Sequence, residues 1–205
     1  MKDIIVLTEL EIKILIHFTG DYNLKISILQ LAKRLKIHYP NIYNTIKSLE
    51  KRNLIILEVV GKASICSLNK KSLELPVYLA YAEKNQANEI IKKFPIIDRI
   101  AREAIKIEPN SILGIFGSHV TGNAGKQSDI DIFLITDNRK GFIDLIPRNF
   151  PQYEKKIDFN IISFEEFTES LNTKKLTISS EIIKNKILIY GAEIYYNIML
   201  QKELW

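Results

Sequence analysis

Apolar residues at Leu7, Leu10, Ile14, Leu15 and Phe18 fall on one stripe of a helix over residues 7–18, with Thr8 placed to cap its start. Gly20-Asp21-Tyr22-Asn23 reads as a stop and turn. Ile28, Leu31, Ala32 and Leu35 predict a second helix over about 27–35. After a short turn at 36–39, Pro40 suits the first turn of a third helix, which runs to about Arg52 and buries Ile42, Ile46 and Leu49. Two β-like runs follow at 54–60 and 64–68, joined by the hairpin signal Gly61-Lys62.

Residues 72–108 read as helical, with one stripe at Leu73, Val77, Ala80 and Tyr81 and another through Ile90, Ile91, Phe94, Ile97, Ile100, Ala101 and Ala104. Pro95 should break or kink that region. A segment of this kind stiffens a join between domains or builds a homodimer interface. From Ser111 the pattern changes to short apolar strands at 112–116, 130–135 and 157–162. Helical stretches are expected at about 142–153, 164–171 and 178–185, then an edge strand at 186–191 ended by glycine and a docking helix from Ala192. The expected domains are 1–70, a helical linker at 71–108, and 109–205.

Composition adds little to this outline, and charge adds more. With 46% hydrophobic and 26% charged residues, the chain has the make-up of a globular protein. It has no uncharged apolar run long enough to span a membrane, so no membrane association is expected. Glu9 and Glu11 interrupt any signal-peptide-like run, and the lone Cys66 cannot form an internal disulfide. Both point to the cytoplasm. The net charge of +5 is uneven: residues 1–70 hold 11 Lys/Arg against 6 Asp/Glu, whereas residues 111–205 hold 11 against 12. Local positive charge of that kind suits a phosphate-bearing partner.

Candidate chemistry concentrates in one stretch. The strand at 112–116 runs into Gly117-Ser118, where a missing side chain lets backbone N–H groups approach an anion. Ten residues later come Asp129 and Asp131, two apart, so both carboxylates are expected on one face while Ile130 and Ile132 face the core. Paired carboxylates repel unless a cation sits between them, and hard divalent ions such as Mg²⁺ bind through carboxylates and substrate phosphates. His17 and His38 lack zinc spacing, Cys66 reads as packing, and neither a catalytic triad nor a phosphate-loop consensus is present.

This pattern resembles the minimal nucleotidyltransferases of the DNA polymerase beta superfamily, whose signature is Gly-Ser, about ten residues, then Asp-x-Asp. The resemblance covers roughly 111–191 and implies a small α+β domain with a mixed sheet. It implies that Gly117 and Ser118 hold the triphosphate of a nucleoside triphosphate, ATP foremost, with Ser128 and the loop residue Lys126 as further nucleotide-binding candidates. Asp129 and Asp131 would bind Mg²⁺ (or Mn²⁺), and Asp158, at the position of the family's third carboxylate, would complete the metal-binding and catalytic set. His119 departs from the family, where arginine is common, and reads as a loop residue.

The three helices and hairpin of the first 70 residues resemble a winged helix-turn-helix. That implies double-stranded DNA as partner, contacted by Tyr39, Asn41, Tyr43, Asn44, Lys47 and Lys51 on the third helix and by Lys62 in the wing. Three functions fit these resemblances. One is transfer of a nucleoside monophosphate to a hydroxyl of protein, nucleic acid or small molecule. Another is a transcription regulator whose transferase-like domain senses nucleotide. The third is an antitoxin that modifies a partner ribonuclease toxin, a role whose known holders usually lack a helix-turn-helix.

Overall fold

The computed structural model describes residues 7–125, 127–171 and 178–202. Two compact units divide the chain: residues 1–82 with 196–205, and residues 83–195.

In the first unit, α1 (Glu9–Phe18), β1 (Ile26–Ser27), α2 (Ile28–Leu35), α3 (Tyr39–Lys51), β2 (Ile55–Val60) and β3 (Ala63–Leu68) follow in order. The strands form an antiparallel sheet in the order β1-β3-β2. Local sequence explains the helix starts. Thr8 and Glu11 form a reciprocal capping box on α1, Ser27 and Gln30 form another on α2, and Pro40 occupies the first turn of α3. The helix stripes bury Ile14, Leu15, Phe18, Ile28, Leu31, Ile42, Ile46 and Leu49 as one apolar set. A buried carboxylate, Glu11, sits among them. It accepts hydrogen bonds from the Thr8 N–H (2.8 Å) and the Ser48 hydroxyl (3.0 Å), and Arg52 stands 3.6 Å away.

Next come α4 (Leu75–Lys93) and α5 (Pro95–Ile107), broken where Pro95 opens the second, and α5 lies wholly within the second unit. The second unit holds β4 (Ile112–Phe116), α6 (Ser118–Thr121), β5 (Ile130–Ile135), α7 (Arg139–Phe142), α8 (Leu145–Asn149), a 3-10 turn at Pro151–Tyr153 and β6 (Ile157–Ile162). It continues with α9 (Phe164–Ser170), α10 (Ile178–Lys184) and β7 (Lys186–Tyr190), and α11 (Ala192–Lys202) follows. Its sheet is mixed, in the order β6-β5-β4-β7, with β5 and β6 parallel and the other pairs antiparallel. The apolar stripe of α5, through Ile97, Ile100, Ala101 and Ala104, packs in one core with Leu113, Ile115, Ile130, Ile132 and Leu134.

One local expectation changes. The helix expected at 142–153 is instead α7, α8 and the 3-10 turn. Pro147 has no N–H to bond back to residue 143, and Pro151 disfavours the helical conformation at Phe150, which adopts φ −139°. Beyond Asp131, the carboxylate-bearing face of β5 buries Phe133 and Ile135 completely. Both faces of this inner strand are covered, and Gly114 on β4 leaves room for the Phe133 ring, which a Cβ there would meet at 2.5 Å.

Candidate active site

The topology brings three chain segments to one end of the mixed sheet. β4 ends there at Phe116, and β5 begins there at Ile130. β6 lies parallel to β5, so it begins beside it, with Ile130 opposite Ile157 and Asp131 opposite Asp158. Residues paired in register on adjacent strands project to the same face. Asp131 and Asp158 are therefore lateral neighbours, although 26 residues of sequence separate them.

Gly117 closes this end. It adopts φ +70°, which a side chain resists, and a Cβ there would overlap the Asp131 carboxylate, coming 2.8 Å from its Cγ as well as striking Oδ2. The Gly-Ser turn is thus pressed against the carboxylate, and the Ser118 N–H donates to it. α6 is a single turn, stopped by Gly122 in the left-handed region, whose N–H returns to the Ser118 carbonyl. In the loop that follows, Ser128 accepts from the Gly125 N–H at 2.9 Å. Asp129 is exposed and precedes the strand, and Lys126 lies outside the described residues.

Electrostatics set Asp131 apart. Burial raises its carboxyl above the ordinary range, and the negative charges of Asp158 and Glu181 raise it further. His119 and the Ser118 N–H pull in the opposite direction without cancelling the rise. Among the described residues, no lysine or arginine forms an ion pair with Asp129, Asp131 or Asp158. No group of three or more His, Cys, Asp or Glu side chains among the described residues is gathered tightly enough to hold a metal by itself. A half-buried carboxylate with two negative neighbours and no cationic partner fits a hard divalent cation, whose remaining oxygens could come from phosphate.

One residue of this site has no mark in the sequence, and a second gains contacts there. Glu181, on α10, reaches the field of Asp131 only through the tertiary fold, and nothing in the local sequence marks it. His119 is more than a loop residue. Its ring packs edge-on to Phe94 at 4.8 Å, and Nε2 lies 3.3 Å from the Ser128 carbonyl.

The first unit presents a different surface. Tyr39, Asn41, Tyr43, Asn44, Lys47 and Lys51 are all exposed on α3, and Lys62 is exposed in the hairpin turn beside Gly61. Tyr39 and Tyr43 stack with ring centroids 6.0 Å apart, and Lys47 is paired with Glu50 at 2.8 Å. No described helix is long and apolar enough to cross a membrane.

Residues 97–194 match the family model described as polymerase beta, nucleotidyltransferase, which supports membership of that superfamily for this stretch. One solved structure, "Crystal structure of the toxin-antitoxin with AMP-PNP", is similar over 58% of this chain and 86% of that one, at 16% identity and a TM-score of 0.34. A likeness that weak carries no argument. No curated protein matches the chain significantly.

Proposed function

We propose that the protein is a metal-dependent nucleotidyltransferase that moves a nucleoside monophosphate from a nucleoside triphosphate to a hydroxyl acceptor, and that its first unit is a winged helix-turn-helix that tethers it to DNA. The observation that carries the first part is the in-register pair Asp131–Asp158, set against the Gly117-Ser118 turn and left without a cationic partner. In this reading Asp131 and Asp158, with Asp129 at the mouth, would hold Mg²⁺ or Mn²⁺. Such an ion supplies charge neutralisation at the phosphates and a better-ionised acceptor hydroxyl. Gly117 admits a phosphate close to the backbone, Ser118 offers its hydroxyl, and Ser128 with Lys126 would border the same nucleotide. His119 stands where a second cation would otherwise favour the triphosphate.

Transfer from ATP labelled at the α-phosphate, assayed with Mg²⁺, with Mn²⁺ and with chelator, tests the reading. Label should move only with metal. Equal transfer in chelator would contradict it.

A second reading is favoured by the exposed row on α3: a transcription regulator whose transferase-like unit senses nucleotide. The order helix, strand, helix, helix, hairpin, with a sheet ordered β1-β3-β2, supports the winged-helix assignment of residues 1–70. Both readings require duplex binding that weakens with salt. Only the second requires that binding to shift when nucleotide is added.

A further inference from the structure

A cavity of about 610 Å³ includes Asp129 in its lining and extends away from Gly117, Ser118, Asp131 and Asp158. It is assembled from the α4–α5 junction, the loop ahead of β5 and the segment ahead of β6. Its cations are Lys93, Arg99, Lys155 and Lys156, its rings are Phe94 and Tyr153, and Asp129 is its one described carboxylate. The topology fixes this gathering. Because β5 and β6 are parallel and in register, Ser128-Asp129 and Lys155-Lys156 emerge at the same sheet end, and the Ile130 N–H bonds the Lys156 carbonyl at 2.9 Å.

Four cations around one concavity repel one another, and a single carboxylate offsets only part of that charge. None of the four forms an ion pair among the described residues. Lys93 lies over the Phe94 ring at 5.1 Å and Arg99 over Phe150 at 5.5 Å. An anion is the partner this surface lacks. The rings narrow its identity: Phe94 and Tyr153 beside a cationic wall suit a base next to its phosphate, and the volume is in the range of small-ligand sites. Gly117, Ser118, Asp131 and Asp158 do not line the cavity, whereas Ser128 and Asp129 do. The cavity thus adjoins the proposed donor-nucleotide site and shares Ser128 and Asp129 with it.

We propose that this cavity holds the phosphate-bearing nucleotide unit of the acceptor, either a free nucleotide or the end of a strand, so that the modified hydroxyl belongs to a nucleotide and not to a protein side chain. The proposal rests on the transferase reading. In the step it serves, the acceptor oxygen bonds to the α-phosphorus and the bond from that phosphorus to the bridging oxygen breaks. Pyrophosphate leaves, and the hydroxyl proton passes to water.

Calorimetry on the full chain tests it in two stages. ATP analogue with Mn²⁺ is titrated first. AMP and a 5′-phosphorylated trinucleotide are then titrated with the donor site already saturated by that analogue. Both probes should bind. The Lys155→Gln/Lys156→Gln chain should bind them at least about tenfold more weakly, and Lys155→Arg/Lys156→Arg should restore binding, which a folding defect would not do. Tighter binding of the trinucleotide than of AMP identifies a strand end as the source, and equal binding identifies the free nucleotide. If neither probe binds, or the Gln chain binds both unchanged while the analogue still binds, the proposal is overturned and the transferase reading survives. If the analogue itself does not bind the unaltered chain, the transferase reading fails, and the acceptor role fails with it.

Discussion

Each unit holds a carboxylate removed from full solvent, and the two are treated in opposite ways. Glu11 in the first unit is buried, yet it receives the Thr8 N–H, the Ser48 hydroxyl and a nearby Arg52. Asp131 in the second is half-buried, receives one N–H from Ser118, and faces Asp158 and Glu181. A satisfied buried charge is part of the scaffold. One held beside like charges weakens the scaffold, and a fold that keeps it points to a ligand that supplies the missing cation. The comparison separates structure from function without reference to any relative.

The sharpest way to break it is Asp131→Asn. Transfer should fall on the order of 10²–10³-fold, the scale for removing a group that organises charge in a transition state. The same change removes repulsion, so the unfolding temperature without metal should rise by about 2–4 °C, the shift that roughly 1 kcal/mol produces in a chain of this size. A drop in both would place Asp131 with Glu11 as a structural residue. Glu11→Ala should do the reverse: about 2–3 kcal/mol of stability lost from the first unit in denaturant unfolding, through the capping box and the Ser48 bond, with nucleotide binding unchanged. Gly117→Ala falls between them. Its Cβ would strike the Asp131 carboxylate and sit at φ +70°, costing about 1–3 kcal/mol and weakening nucleotide binding together, as thermal unfolding and titration would show. The smallest effect is expected on α3. Lys51→Ala should lower the salt slope of duplex binding by about one, and Lys47→Ala by less, because Glu50 already engages Lys47. Equal slopes would remove α3 from the proposed DNA interface.

Much of this was legible in the chain because the signals are local. Thr8, Ser27 and Pro40 mark helix starts by their own chemistry, Pro95 divides α4 from α5, and the apolar strands of the second unit stand out from their surroundings. Cys66 reads as packing in the sequence, and it is buried with its thiol pushed up to about 11. What stayed hidden depends on pairing between distant segments. The family resemblance names Asp158 as the third carboxylate, but only the parallel register shows that it is Asp131, and not Asp129, that stands directly opposite it. Glu181, and the cations at Lys93, Arg99 and Lys155-Lys156, reach the site in the same way. Two prolines divided a helix that apolar periodicity had suggested was continuous.

In the proposed function, Asp131 and Asp158 form a nucleotide site that a metal completes. Its most direct test is calorimetric titration of the intact chain with a non-hydrolysable ATP analogue, with and without Mg²⁺, alongside Asp131→Asn. The account predicts saturable binding that requires Mg²⁺ and is lost in the variant. Binding of equal strength without the metal, or in the variant, would contradict it.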